Sequence, residues 1–289
     1  MLSVSNLWKA FGGQDLFKGA SFRVNPGDRI ALIGPNGSGK STLFDTLVGE
    51  ESVDKGEIGR PSDLAIGYLR QETDDLRGNS VLEEVISGKP ELGDASHRLH
   101  ELEHKIAEAP EGESARLLNQ YGRLRESFEA SGGYEIEHEA KKILGGLAFR
   151  PQDFSRLTET FSGGWMMRIA LAKLLVARPD LLILDEPTNH LDLASVEWLE
   201  KFLQGYGGTI LFTSHDREFI NGFARKIVEV RDHKLFEYTG NFDDFVEQRE
   251  LAERQREQAA KQQTRKIAAS TRFIERFRYK KTKARQVQS

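Results

Sequence analysis

The sequence predicts an α/β fold with a mainly parallel sheet covered by helices, and three observations predict it. The apolar runs Arg29 to Ile33 and Leu181 to Leu184 have the length of buried strands. A glycine-rich stretch follows the first run and leads into a helix from Lys40 to about Val48, which Gly49 stops. Beyond residue 160 helices and strands alternate: helix at 162–176, strand at 181–184, helix from Ser195 to Leu203, strand from Thr209 to Thr213.

The elements follow in order along the chain. Residues 1–71 read as strands around the loop–helix unit, with residues 62–70 a strand that ends at Gln71. Leu99, Leu102, Ile106 and Ala109 are spaced at helical intervals, as are Leu117, Tyr121, Leu124 and Phe128. Pro110, Glu111 and Gly112 separate the two sets, so residues 92–131 predict an antiparallel helical hairpin, closed by Gly132 and Gly133. Lys226 to Tyr238 reads as a β-hairpin turning near Asp232 and His233. From Asn241 to Ser289 there is neither Gly nor Pro, and Asn241 with Asp243 and Asp244 makes a plausible helix start. Such a helix would extend roughly 70 Å, away from the globular body, and would run on into a longer protein. The expected domains are residues 1–240, with the hairpin at 92–131 inserted, and a basic helical segment at 241–289.

Composition limits the function classes. At 289 residues, 38% hydrophobic and 30% charged, the chain is of ordinary globular type. No apolar run approaches the roughly 18 residues of a membrane span. Lys9, Asp15 and Lys18 interrupt any signal-peptide pattern. With no cysteine, disulfides and thiolate metal sites are excluded, and a cytoplasmic protein is the simplest expectation. The total charge is −4, yet residues 261–289 hold ten Lys or Arg and one acid, a net of +9, so the other residues carry −13. An acidic body with a basic tail points to a polyanionic partner for the tail, against the plainer reading of a solvated helix face.

The chemistry concentrates at strand ends. Gly34-Pro35-Asn36-Gly37-Ser38-Gly39-Lys40-Ser41 fits the P-loop pattern: glycines let backbone amides curl around phosphate oxygens at a helix N-terminus. Lys40 would neutralise the β- and γ-phosphates, Ser41 would ligate Mg²⁺, and Thr42 joins them in the first turn. Leu181 to Leu184 ends in Asp185, which would hold Mg²⁺, and Glu186, which would orient or deprotonate the attacking water. Ser162, Gly163 and Gly164 open a helix after Phe161, a second surface suited to phosphate. One nucleotide does not need two such loops from one chain, so this loop is expected to cap the ATP of another cassette. Taken alone, it reads equally well as an ordinary helix cap. Gln71 could reach Mg²⁺ or the water, His215 could contact the γ-phosphate, and Phe11 could stack on adenine; their plain alternatives are structural roles.

The order of Phe11, the P-loop, Gln71, Phe161-Ser162-Gly163-Gly164, Asp185-Glu186, Asp192 and His215 resembles ATP-binding cassette proteins over residues 1–240. The run Asp185-Glu186-Pro187-Thr188-Asn189-His190-Leu191-Asp192 resembles the ABC-F subfamily more narrowly. That resemblance implies a P-loop cassette with an antiparallel β subdomain, a helical subdomain carrying the hairpin as an arm, and a linker helix joining a second cassette. It implies ATP and Mg²⁺ as cofactors, hydrolysis at a site shared with the second cassette, and communication between sites through Asp192. It further implies a ribosomal partner, with rRNA and tRNA, and no membrane domain. The competing expectation is the nucleotide-binding subunit of a transporter. One departure stands out: the signature loop has Phe161 and Trp165 where many cassettes carry Leu and Gln.

Overall fold

The computed structural model describes residues 1–71, 76 and 78–287, without the side chains of residues 111, 112, 269 and 273–287. Two compact units emerge, Met1–Phe242 and Asp243–Ser289. In the first, strands β1 (Leu2–Phe11), β2 (Gln14–Val24) and β4 (Lys55–Gly59) form an antiparallel sheet in the order β2-β1-β4. Strands β3 (Arg29–Ile33), β5 (Ile66–Leu69), β6 (Leu181–Asp185), β7 (Thr209–Thr213), β8 (Lys226–Arg231) and β9 (Lys234–Thr239) form a second sheet, ordered β5-β6-β7-β3-β8-β9. All its neighbours run parallel except the hairpin β8–β9. That hairpin turns through Asp232 and His233, both with positive φ (51° and 61°), the two-residue turn whose twist matches the strands it joins.

Helix α1 (Lys40–Val48) lies in the core that the two sheets share. Its Leu43, Phe44 and Leu47 are fully buried with Leu7 and Val24 of one sheet and Ile30 and Leu32 of the other. Burying a side chain of that size stabilises the fold by about 1.5–3 kcal/mol, which fixes the loop leading into α1 at the carboxyl end of β3. The remaining helices of this unit are α2 (Val81–Ile86), α3 (Pro90–Glu108), α4 (Glu111–Ala130), α5 (Gly133–Gly146), α6 (Gly163–Ala177), α7 (Leu193–Gln204) and α8 (Arg217–Phe223).

The expected hairpin is present as α3 and α4, with a tighter turn than the sequence suggested. Only Ala109 and Pro110 lie outside the helices, and Glu111 and Gly112 belong to the first turn of α4. Pro110 in extended conformation is the N-cap, a position where its missing N–H costs nothing. Gly132 and Gly133 do more than end the hairpin: Gly132, at φ 86°, caps α5, a helix the spacing argument did not resolve. The strand expected over 62–70 shrinks to Ile66–Leu69, because a turn with Leu64 N–H donating to Pro61 precedes it. Helix α7 begins two residues early, at Leu193, since the Asp192 carboxylate accepts the Ser195 amide at 3.0 Å and caps it.

Helix α9 (Phe242–Val287) is continuous over 46 residues. Asp243 and Asp244 occupy its first turn, and Arg249–Glu253 and Glu250–Arg254 pair along its length at 3.2 Å each. Of the basic tail residues, Arg265, Lys266 and Arg272 are exposed. The side chains of Phe273, Arg276, Phe277, Arg278, Tyr279, Lys280, Lys281, Lys283 and Arg285 lie outside the described residues. Among the described residues no helix is long and apolar enough to cross a membrane.

Candidate nucleotide site

Four neighbouring parallel strands deliver the site. The glycine-rich loop leaves the carboxyl end of β3, Asp185 and Glu186 leave β6, Ser214 and His215 leave β7, and Gln71 follows β5. Ligands of open α/β sheets bind at these ends, where loops diverge and leave a crevice. Here the crevice is a cavity of about 660 Å³ lined by Phe11, Asn36, Gly37, Gly39, Lys40, Ser41, Thr42, Gln71, Asp185, Glu186 and His215, with Gln14 and Leu16.

The loop's geometry depends on its glycines. Gly39 has φ 95°, and a Cβ there would meet the Phe17 ring at 3.2 Å. At Gly34 a Cβ would fall 2.8 Å from Ser38 Oγ. Lys40 Nζ donates back to the carbonyls of Gly34 (2.9 Å) and Pro35 (3.2 Å), so the ammonium stands over the loop. Ser38 Oγ is buried with no hydrogen-bond partner among the described residues. A phosphate oxygen would satisfy such an atom.

The carboxylates are wired into the sheet. Parallel pairing sets Asp185 opposite Thr213, whose hydroxyl donates to Asp185 Oδ1 at 2.6 Å and accepts the Glu186 amide at 2.9 Å. The other oxygen, Asp185 Oδ2, accepts Ser41 Oγ–H at 2.6 Å. Two hard oxygen donors thus touch across the cavity, a donor set that fits Mg²⁺. Among the described residues no group of three His, Cys, Asp or Glu could hold a metal by itself, so further ligands would come from phosphate and water.

Glu186 is 7% exposed and sits at φ 52°, an uncommon conformation for a side chain of its size. Its Oε2 accepts the His215 amide at 3.2 Å, and its Oε1 lies 3.3 Å from His215 Nε2. Burial pushes its carboxyl above the ordinary value; His215 and Lys40 oppose that, and Asp185 adds to it. A carboxyl poised this way accepts a proton more readily than a solvated one.

The second glycine cluster stands apart. Ser162 is the N-cap of α6 without using its side chain in the cap, and neither it nor Gly163 or Gly164 lines the cavity. Its surroundings are His190, 3.5 Å from a Cβ built at Gly164, and Arg168, which binds the His190 carbonyl (2.8 Å) and the Asp192 carboxylate (3.0 Å). The Ser195 amide first, then Arg168, holds Asp192 below the usual carboxylate range. Trp165 joins an aromatic cluster, its ring 4.8 Å from Phe149 and 4.7 Å from the Arg168 guanidinium. Its fifth position in the loop is therefore occupied by packing.

Sequence reasoning missed Thr213, Gln14 and Leu16. For Thr213 the only sequence signal was its place at the end of a strand beside His215. Gln14 and Leu16 follow Phe11 on the next strand and carried none.

A glycine-rich loop entering a helix, opposed by strand-end carboxylates, defines a P-loop nucleotide-binding domain. A family model described as ABC transporter matches residues 17–189, and its extension model matches 228–289. YheS of Escherichia coli (strain K12) is 38% identical over 289 residues, 100% of this chain and 44% of that protein. ATP-binding protein Uup of the same strain is 34% identical over 268 residues, 93% of this chain and 41% of that protein. The chain thus spans less than half the length of these relatives. Among solved structures, an ATP-binding subunit of an ABC transporter superposes with a TM-score of 0.62 at 19% identity, covering 87% of this chain and 94% of that one. A dimeric ATP-binding cassette bound to ADP and Pi gives 0.57 at 20% identity, covering 83% and 98%. The chain belongs to the ATP-binding cassette family and is of the ABC-F type.

Proposed function

We propose that this cassette hydrolyses ATP in a site completed by a second cassette, as the first cassette and linker start of a cytoplasmic protein acting on the ribosome. The loop amides and Lys40 bind the β- and γ-phosphates, and Phe11, 62% exposed at the end of β1, stacks on adenine. Ser41, Asp185 and Gln71 would hold Mg²⁺, which would supply charge neutralisation at the γ-phosphate. A water attacks the γ-phosphorus, the bond to the β,γ-bridging oxygen breaks, ADP leaves, and Glu186 takes the water's proton. His215 contacts the γ-phosphate. The loop Ser162-Gly163-Gly164 caps the ATP of the partner cassette, and Asp192 links the two sites. The domains are the cassette over residues 1–240 and the linker at 241–289, whose basic stripe contacts rRNA and tRNA phosphates.

One observation carries the shared-site reading: the cavity holds every proposed catalytic group, and the Ser162 loop is absent from its walls. The ribosomal part rests on the resemblance to ABC-F proteins and on the basic tail. It is tested with the intact protein carrying Glu186→Gln and the matching change in its second cassette, incubated with ATP or ADP and sedimented with ribosomes. ATP-dependent co-sedimentation is the expected result. Equal recovery with membranes or DNA, or none with ribosomes, would remove the ribosomal assignment and leave the ATPase intact.

A further inference from the structure

The lining of the nucleotide cavity divides into two chemically different parts. Lys40, Asp185, Glu186 and His215 carry its ionisable groups, and all four come from the glycine-rich loop and the ends of β6 and β7. The part contributed by β1 and β2 is Phe11, Gln14 and Leu16, with no ionisable side chain among them. A neutral, partly aromatic wall suits a nucleobase as the charged wall suits phosphate.

The hairpin between these strands fixes how that wall is built. Its two-residue turn is Gly12-Gly13, both at positive φ (58° and 82°), the tight turn whose twist matches the strands it joins. It sets Phe11 directly opposite Gln14. Directly opposed residues of an antiparallel pair share one face of the sheet, with Cβ atoms about 4.5–5.5 Å apart. Leu16 anchors the same strand to the phosphate loop, since a Cβ built at Gly39 would lie 3.2 Å from its own. Gln14 stands two residues further along β2, at most about 7 Å away. Its neighbour Asp15 is paired with Lys18 at 2.9 Å. The Gln14 carboxamide is exposed and makes no hydrogen bond to another described residue. An aromatic face and a free amide thus stand side by side at the wall that carries no charge.

We propose that Gln14 reads the N6/N7 edge of adenine while Phe11 stacks on its face, which makes the chain selective for ATP over GTP. The inference rests on the nucleotide reading of the cavity and is independent of the ribosomal one. Stacking alone does not select a base, because every base has a π-face. A primary carboxamide offers an acceptor and a donor side by side. Adenine presents the complementary pair, the N6 amino group and N7, whereas guanine presents two acceptors, O6 and N7, along the same edge. The amide therefore makes two hydrogen bonds to adenine and one to guanine, and with guanine its own oxygen faces another acceptor. Being neutral, it discriminates by the base without acting on the charge of the triphosphate.

The test measures displacement of a fluorescent ATP analogue from the 289-residue chain by ATP, GTP and 7-deaza-ATP, the last of which lacks the N7 acceptor. ATP is expected to bind about ten-fold tighter than GTP and about five-fold tighter than 7-deaza-ATP. Gln14→Ala should bring the three nucleotides within about two-fold of one another while triphosphate binding persists. Gln14→Glu keeps an acceptor for the N6 amino group and removes the donor to N7. It should therefore abolish the difference between ATP and 7-deaza-ATP and keep the preference for ATP over GTP. Equal affinities of the three nucleotides for the unsubstituted chain would overturn the proposal, as would an ATP preference that survives Gln14→Ala. A preference for ATP over GTP with 7-deaza-ATP bound as tightly as ATP would overturn it too, by placing the contact on another edge of the base. Lys40→Ala separates this failure from that of the underlying reading: it should weaken all three nucleotides alike. Nucleotides that bind through Lys40 without discrimination remove only the role of Gln14, and nucleotides indifferent to Lys40 remove the nucleotide reading and this inference with it.

Discussion

The N-termini of α1 and α6 are both small-residue entries to helices, and only the first shares a cavity with the strand-end acids Asp185 and Glu186. The loop before α1 shares a cavity with Asp185, Glu186, Gln71 and His215. The Ser162 loop before α6 shares its surroundings with Arg168, His190 and Asp192, and has no catalytic acid beside it. Both offer free amides to an anion, since the first turns of helices leave N–H groups unpaired. The difference separates phosphate affinity from phosphate chemistry: on the proposed reading the first end binds and reacts, and the second completes a site whose acids come from another cassette. Each prediction below breaks or sharpens that contrast.

The largest effect belongs to Glu186. Replacing it by Gln should lower hydrolysis by roughly 1,000-fold, within the range for a general base, while ATP binding persists. The same change has a pH signature. Burial raises the Glu186 carboxyl, so the folded state favours its protonated form. The stability this group contributes is present below its unfolded value and is lost as pH rises through the raised one. Glu186→Gln should therefore raise the melting temperature of nucleotide-free protein at pH 7.5, and the gain should vanish near pH 4. Thermal scans at several pH values check this; an equal gain at every pH would remove the burial argument.

Lys40→Ala should weaken ATP binding by roughly 100-fold, the scale of losing charge-assisted contacts to two phosphates. Stability should hardly change, because among the described residues the ammonium bonds only the carbonyls of Gly34 and Pro35. Titration with a fluorescent ATP analogue measures it, and unaltered affinity would discard the P-loop assignment.

Gly163→Asp probes the other helix end. A Cβ at Gly163 meets nothing within 4 Å, and an acid in a helix's first turn is favoured by the dipole, so the variant should fold normally. Its charge would face a partner's γ-phosphate. Hydrolysis should fall by roughly 30-fold with nucleotide affinity of the isolated chain unchanged. In the unsubstituted chain the rate should climb more steeply than linearly with protein concentration. A rate per molecule independent of concentration would show that one cassette suffices.

What the sequence disclosed and what it withheld follow from how local each feature is. The loop from Gly34 to Ser41 and the strand ending in Asp185-Glu186 are contiguous, so their chemistry could be named before any fold was known. The α3–α4 hairpin was visible because helical spacing persists over several turns. Helix α5 carried a comparable signal in Ile136, Ala140, Ile143 and Leu144, all buried, but the preceding glycines read as an end and not as a cap. Helix α2 spans six residues, too few for periodicity, and only the Ser80–Glu83 box marks it. Trp165 looked like a lost polar contact, and its packing on Phe149 comes from a residue sixteen positions earlier. Which carboxylate oxygen meets which hydroxyl depends on strand order, which no short window contains.

Thr213 is the case where that limit has the smallest and most specific consequence. It is fully buried, and its hydroxyl joins the β7 strand end to both carboxylate residues at the end of β6: it donates to Asp185 and accepts from the Glu186 amide. Thr213→Val keeps the β-branched shape and the strand preference, so packing is conserved. The Glu186 N–H and one oxygen of Asp185 would then be buried without a partner, at a cost of about 2 kcal/mol. For a domain of this size that lowers the melting temperature by about 4–8 °C. Glu186, no longer held through its amide at positive φ, would relax from the cavity, and kcat should fall by about ten-fold with KM nearly constant. Thr213→Ser restores the hydroxyl and loses one methyl, about 1 kcal/mol of burial. It should recover the rate and only part of the melting temperature. If Val and Ser variants lose activity equally, the methyl and not the hydroxyl supports the site, and the hydrogen-bonded link between the two strands has no catalytic weight.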